Sequence, residues 1–156
     1  MLASTIETYF NPDYSLWYDV EFAISTSLLI PDCKINLYGT GSSQRKIALL
    51  FSLDSLDSPK FYSKDSFTSY DGKKNSHYES VSYNRLLNDL IENVKSNHPT
   101  DYSEITGTIH IKDSLLGISI INTGFMQNER EVLHVAFILS RYMNVPVLTY
   151  TDGQIV

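Results

Sequence analysis

A chain of 156 residues has the length of one ordinary domain, and 42% apolar with 19% charged residues place it with globular proteins rather than disordered or membrane-spanning ones. Its formal net charge of −6 disfavours nucleic acid and anionic membrane as partners and favours a basic protein. The single cysteine, Cys33, excludes an intramolecular disulfide, and the N-terminus carries neither the cationic start nor the apolar core of a secretory signal, so a cytoplasmic location is expected.

The first 33 residues contain Glu7, Asp13, Asp19, Glu21 and Asp32 and no Lys or Arg. Within them, Leu2, Ile6, Tyr9 and Phe10 recur at helical spacing, which predicts a short N-terminal helix ended by Asn11-Pro12-Asp13. From Trp17 to Leu29, Val20, Phe22 and Ile24 oppose Asp19, Glu21 and Ala23, as in a half-buried strand. Cys33 to Leu37 and Lys46 to Leu53, joined by Gly39-Thr40-Gly41-Ser42-Ser43, read as a β-hairpin. Residues 54–81 are rich in Ser, Asp, Lys and aromatics around Pro59 and Asp71-Gly72, and read as a loop or edge-hairpin excursion.

Leu86, Leu87, Leu90, Ile91 and Val94 then recur at 3.6 spacing, which predicts an amphipathic helix over 82–96 stopped by Asn97 and Pro99. Ile105 to Ile111 and Leu115 to Ile121 are β-rich runs around Lys112-Asp113-Ser114 and suggest a second hairpin. Asn128 and Glu131 form a capping-box pattern before the run from Val132 to Met143. That run is apolar nearly all round, so the helix is expected to be buried on more than one side, with Leu133, Phe137 and Ile138 joining Leu90 and Ile91 in the core. Arg141, Asn144 and Pro146 supply its C-terminal signals, and Val145 to Tyr150 reads as a last strand. The expected fold over residues 1–156 is a single α+β domain, a mainly antiparallel sheet with two or three helices packed on one face and the C-terminal quarter at its centre.

Catalytic signals are weak. His77, His98, His110 and His134 lie in different elements without HxH, HExxH or CxxC spacing, so no metal and no cofactor is expected. His110 reads as an outward strand position and His134 as a polar position on the capped helix. Cys33 beside an alternating strand reads as a small buried residue, and Gly39-Thr40-Gly41 lacks the Gly-Lys-Ser/Thr of a phosphate loop. Asp19 and Glu21, two apart, would share one strand face, where carboxylates can act as acid and base but more often are solvated. The distinctive feature is the series Phe61, Tyr62, Phe67, Tyr70, Tyr78 and Tyr83 interleaved with Lys60, Lys64, Lys73 and Lys74. Such a series can stack nucleic acid or anchor a protein contact, and overall acidity favours protein. The sequence therefore points to a non-catalytic acidic binding module, such as an inhibitor or an immunity protein that masks a basic toxin or nuclease. Its expected contact residues are Asp13, Asp19, Glu21, Asp32, Tyr62, Phe67 and Tyr70. The alternative is a small enzyme or ligand-binding domain using carboxylates and tyrosines in a cleft.

Overall fold

The computed structural model describes residues 1–6, 21–30, 46–62, 80–95, 104–121, 129–151 and 154–155. The strands are β1 (Leu2–Ile6), β2 (Glu21–Leu28), β3 (Ile47–Phe51), β4 (Asp57–Tyr62), β5 (Glu104–His110), β6 (Leu115–Ile121), β7 (Val147–Thr151) and β8 (Gln154–Ile155). The helices are α1 (Tyr83–Lys95), the single turn α2 (Ile111–Ser114) and α3 (Glu129–Met143). The strands join in the order β4-β5-β2-β1-β3-β6-β7-β8. Every neighbouring pair is antiparallel except β6 and β7, whose parallel pairing requires the α3 crossover. The fold is α+β, as the mixture of elements predicts.

Register decides which face meets the helices. Ile24 lies opposite Gly107, Leu28 opposite Leu2, Leu2 opposite Phe51, Leu49 opposite Ile118 and Ile118 beside Val147. Directly opposed residues project to one side, so these positions form a single apolar surface. The same buried cluster contains Leu86 and Leu90 of α1 and Val132, Ala136, Leu139 and Met143 of α3. Both long helices therefore cover one face.

The sheet cannot be flat. β1 meets β2 through only two residue pairs, Leu2 with Leu28 and Ala3 with Ser27, and then follows β3 for its whole length. A flat sheet would hold His110 and Leu115 roughly 30 Å apart, across four strand spacings and along the length of β2. The five chain steps between them reach at most about 18 Å. The sheet is thus folded at the β1/β2 seam into two parts, β4-β5-β2 and β1-β3-β6-β7-β8, and Ile111 of α2 is buried in the shared core beside them.

Several sequence expectations are corrected. Leu2–Ile6 is a strand, not a helix, because pairing along β3 satisfies its backbone while a five-residue helix would pay the full cost of nucleation. β3 is paired along both edges by β1 and β6, and the Cys33 to Leu37 arm of the expected hairpin, with its turn, lies outside the described residues. β5 and β6 are strands but not a hairpin, since three other strands separate them. α3 buries one stripe, Val132, Ala136, Leu139 and Met143, and exposes the opposite one. Phe137 is 55% exposed, Ile138 48% and Ile91 44%, so none of the three is a core residue, whereas Leu90 is buried and Leu133 packs partly against the cluster. The C-terminal quarter is not central: β7 and β8 lie at one side of the sheet, and β3, buried at every residue, holds the middle. Residues 54–81 contribute the edge strand β4, bridged at Phe61 by Val81.

Asn97, Pro99 and Asn128, read as helix-end signals, lie outside the described residues. Ser82 Oγ accepts the Arg85 backbone N–H at 3.3 Å at the start of α1. Asn144 ends α3 in the left-handed region, φ 53°, and Ser140 Oγ donates to the Val145 carbonyl at 2.6 Å. The expected consequence of this packing is an asymmetry along α3. Leu139→Ala should cost about 2–5 kcal/mol in denaturant unfolding, and Phe137→Ala less than about 1 kcal/mol; equal losses would refute the assignment of faces.

Candidate functional site

On β4-β5-β2 the face turned away from the helices is polar. Its register rows are Glu21 opposite His110, Ala23 and Asp57 either side of Thr108, Ser25 and Lys60 either side of Thr106, and Tyr62 opposite Glu104. The sequence that produces this face is the alternate set of each strand, Glu-Ala-Ser-Ser along β2 and Glu-Thr-Thr-His along β5, while the intervening apolar set turns to the core.

The edge strand gives the face its relief. Between Asp57 and Lys60 the ladder with β5 slips, and Ser58 takes a left-handed conformation, φ 49°. Gly107 permits this approach: a Cβ there would lie 3.0 Å from the Asp57 carbonyl oxygen and 3.3 Å from Leu56 Cδ2. The result is an open depression of about 410 Å³ lined by Ser25, Asp57, Ser58, Lys60, Thr106 and Thr108 as its polar groups. Beside it Glu104 is completely buried and accepts a hydrogen bond from Ser25 Oγ at 2.7 Å. A carboxylate removed from water depends on such donors. One residue along, the core-facing Thr26 Oγ1 donates to the Ile105 carbonyl at 2.9 Å, so both hydroxyls bind β2 to β5.

At the far end, His110 Nδ1 lies 2.9 Å from Asp113 Oδ2, joining the strand to the α2 turn. Glu21 stands opposite His110 in the ladder with β5 and is exposed. Among the described residues no group of three or more His, Cys, Asp or Glu is placed to hold a metal ion. His134 lies on the exposed side of α3.

Of the residues singled out from sequence, Glu21 and Tyr62 fall on this face, Glu21 exposed and Tyr62 half-buried. They stand at its opposite ends, about 20 Å apart by strand rise. Asp13, Asp19, Asp32, Phe67 and Tyr70 lie outside the described residues, as do Cys33, His77 and His98. The aromatic series divides: Phe61 and Tyr83 meet as tilted rings with centroids 5.4 Å apart and pack against the core, while Tyr62 alternates to the polar face. Ser25, Thr106, Gly107 and Glu104 carry the shape of the site and were not singled out. Their only sequence signal is small and polar residues alternating with Ile in two strands that lie far apart in the chain. No helix among the described residues is long and apolar enough to cross a membrane.

No protein-family model matches this chain, and no curated protein matches it either. The site is therefore read from its own chemistry. Ser25→Ala should lower stability by about 1–3 kcal/mol, the cost of stripping a donor from a buried carboxylate. A urea midpoint equal to that of the unsubstituted chain would show that Ser25 contributes nothing to holding Glu104.

Proposed function

We propose that this chain is a non-catalytic, acidic protein-binding module that docks on a basic partner, in the manner of an inhibitor or immunity protein masking the basic surface of a toxin or nuclease. One observation carries the reading. The uncompensated acid of the first 33 residues runs directly into β2, whose Glu21 is exposed on a sheet face that no described helix covers. Along that face Asp57 is also exposed, and Lys60 is the single Lys or Arg among its described strand positions. Opposite charge would speed encounter, and half-buried Tyr62 would supply contact area that loses water on docking.

The depression beside Gly107 favours a second reading, a ligand-binding domain holding a small polar molecule between Ser25, Lys60 and the two threonines. Asp57 at its edge could equally receive a basic side chain of a protein partner.

Affinity capture from the native host, followed by surface plasmon resonance on the captured protein, separates these. Reversing Asp19 and Glu21 to Lys should cut the association rate by about tenfold at low salt, and added salt should slow association of the unsubstituted chain. Tyr62→Ala should chiefly speed dissociation. Rates that ignore all three changes would sink the acidic-surface reading, and capture of a small metabolite alone would replace it with the ligand-binding one.

A further inference from the structure

The slip in the edge ladder does more than give the polar face its relief: it sets two opposite charges on one side of the sheet. Asp57 and Lys60 are three apart, and in a regular strand residues three apart point to opposite faces. Here the extra residue shifts the pairing. Asp57 stands against Thr108 and Lys60 against Thr106, two positions apart on β5 and therefore on one face. Both charged residues are exposed, both line the depression of about 410 Å³, and left-handed Ser58 lies between them. Bulges that re-aim side chains in this way are over-represented beside functional sites.

Such an arrangement selects for a ligand that carries both signs. A lone anion at Lys60 meets the Asp57 carboxylate, and a lone cation at Asp57 meets the Lys60 ammonium, so half of the site opposes any ligand of single charge. The half-buried hydroxyls serve either sign: Thr106, opposite Lys60, can donate to a carboxylate, and Thr108, opposite Asp57, can accept from an ammonium. Spacing narrows the class further. The two rows are two strand rises apart, roughly 7 Å. An α-amino acid separates its ammonium nitrogen from its carboxylate carbon by about 2.5 Å. With a charge-assisted hydrogen bond of about 2.8 Å at each end it bridges groups roughly 8 Å apart. A dipeptide is longer by about 3.5 Å and overshoots. Ser25 commits its proton to Glu104, and Ile24 and Gly107 add no polar side chain, so this part of the lining favours an apolar side chain on the ligand.

We propose that the depression beside Gly107 binds a free α-amino acid with an apolar side chain, its carboxylate held by Lys60 and Thr106 and its ammonium by Asp57 and Thr108. The proposal rests on the ligand-binding reading of the depression, which it deepens, and does not depend on the acidic-surface reading. Because both protein charges are exposed and screened by salt, binding is weak, with a dissociation constant on the order of 1 mM.

Nuclear magnetic resonance on the isotope-labelled full chain tests this, with L-leucine, N-acetyl-L-leucine and L-leucinamide titrated in turn to tens of millimolar. L-leucine should shift the backbone amides of Ser58, Thr106, Gly107 and Thr108 saturably, and each probe of single charge should bind roughly fivefold more weakly. Lys60→Gln should remove the preference over L-leucinamide, and Asp57→Asn the preference over N-acetyl-L-leucine. Both positions are exposed, so both variants should keep the folded spectrum of the unsubstituted chain. Equal binding of the three probes at these amides, or a preference that survives both substitutions, overturns the proposal and leaves the ligand-binding reading in place. No movement of these amides with any probe, as when Asp57 and Lys60 simply neutralise each other, overturns the proposal as well. In that case a metabolite from the native host that moves the same amides keeps the ligand-binding reading, and the absence of one removes it.

Discussion

The architecture depends on how little joins β1 to β2. Two ladder pairs and the Leu29 N–H to Met1 carbonyl hydrogen bond, 2.8 Å, hold the seam, and the short passage from β5 through the α2 turn to β6 draws the two parts of the sheet toward each other. Everything apolar follows from that bend. The inward rows of both parts, Ile24, Leu28, Ile105 and Ile109 on one side and Ile47, Leu49, Ile118 and Ile120 on the other, converge on one cluster, and the two long helices close it. Were β1 to pair with β2 along its full length, Ile111 could not be both the next residue after β5 and a member of the core shared with Leu115.

Much of the local structure was legible in the sequence, and little of the pairing. α1 and α3 are marked by periodicity, and Asn144 ends α3 in the left-handed conformation expected of it. The apolar run 47–51 reads as a buried strand because it is one, covered on both faces. Neighbours are another matter. A hairpin is the cheapest partner for a strand, and chain proximity suggested one for β5 and β6, where three intervening strands and the bend took precedence. The first residues misled for a related reason, since Leu2 and Ile6 satisfy a helical spacing and a strand alternation equally well, and only the long-range ladder with β3 chooses.

Composition misled along α3 in an informative way. A helix that looks apolar all round suggests burial on several sides, but this one lies over β6 and β7 near a margin of the sheet, where a single stripe of Val132, Ala136, Leu139 and Met143 meets the core. The surplus apolar residues are therefore a surface property. On the polar sheet face the limit was different. Glu21 could be picked out because its neighbours are also acidic, whereas Glu104 and Ser25 acquire meaning only when β2 and β5 lie side by side, 79 residues apart in sequence. A carboxylate in a strand looks the same in the sequence whether it is solvated or entirely enclosed.

The irregular edge strand also limits what this molecule can become when crowded. An exposed outer strand offers a row of free amides and carbonyls on which another chain can lay a further strand, the beginning of open-ended fibrous growth. Here that template is broken. Ser58 turns the backbone out of line, Pro59 has no amide to give, and the Phe61 carbonyl is already taken by the Val81 N–H at 2.8 Å. At the opposite margin β8 is two residues long. Both margins of the sheet among the described residues are therefore poor nuclei for β-polymerisation.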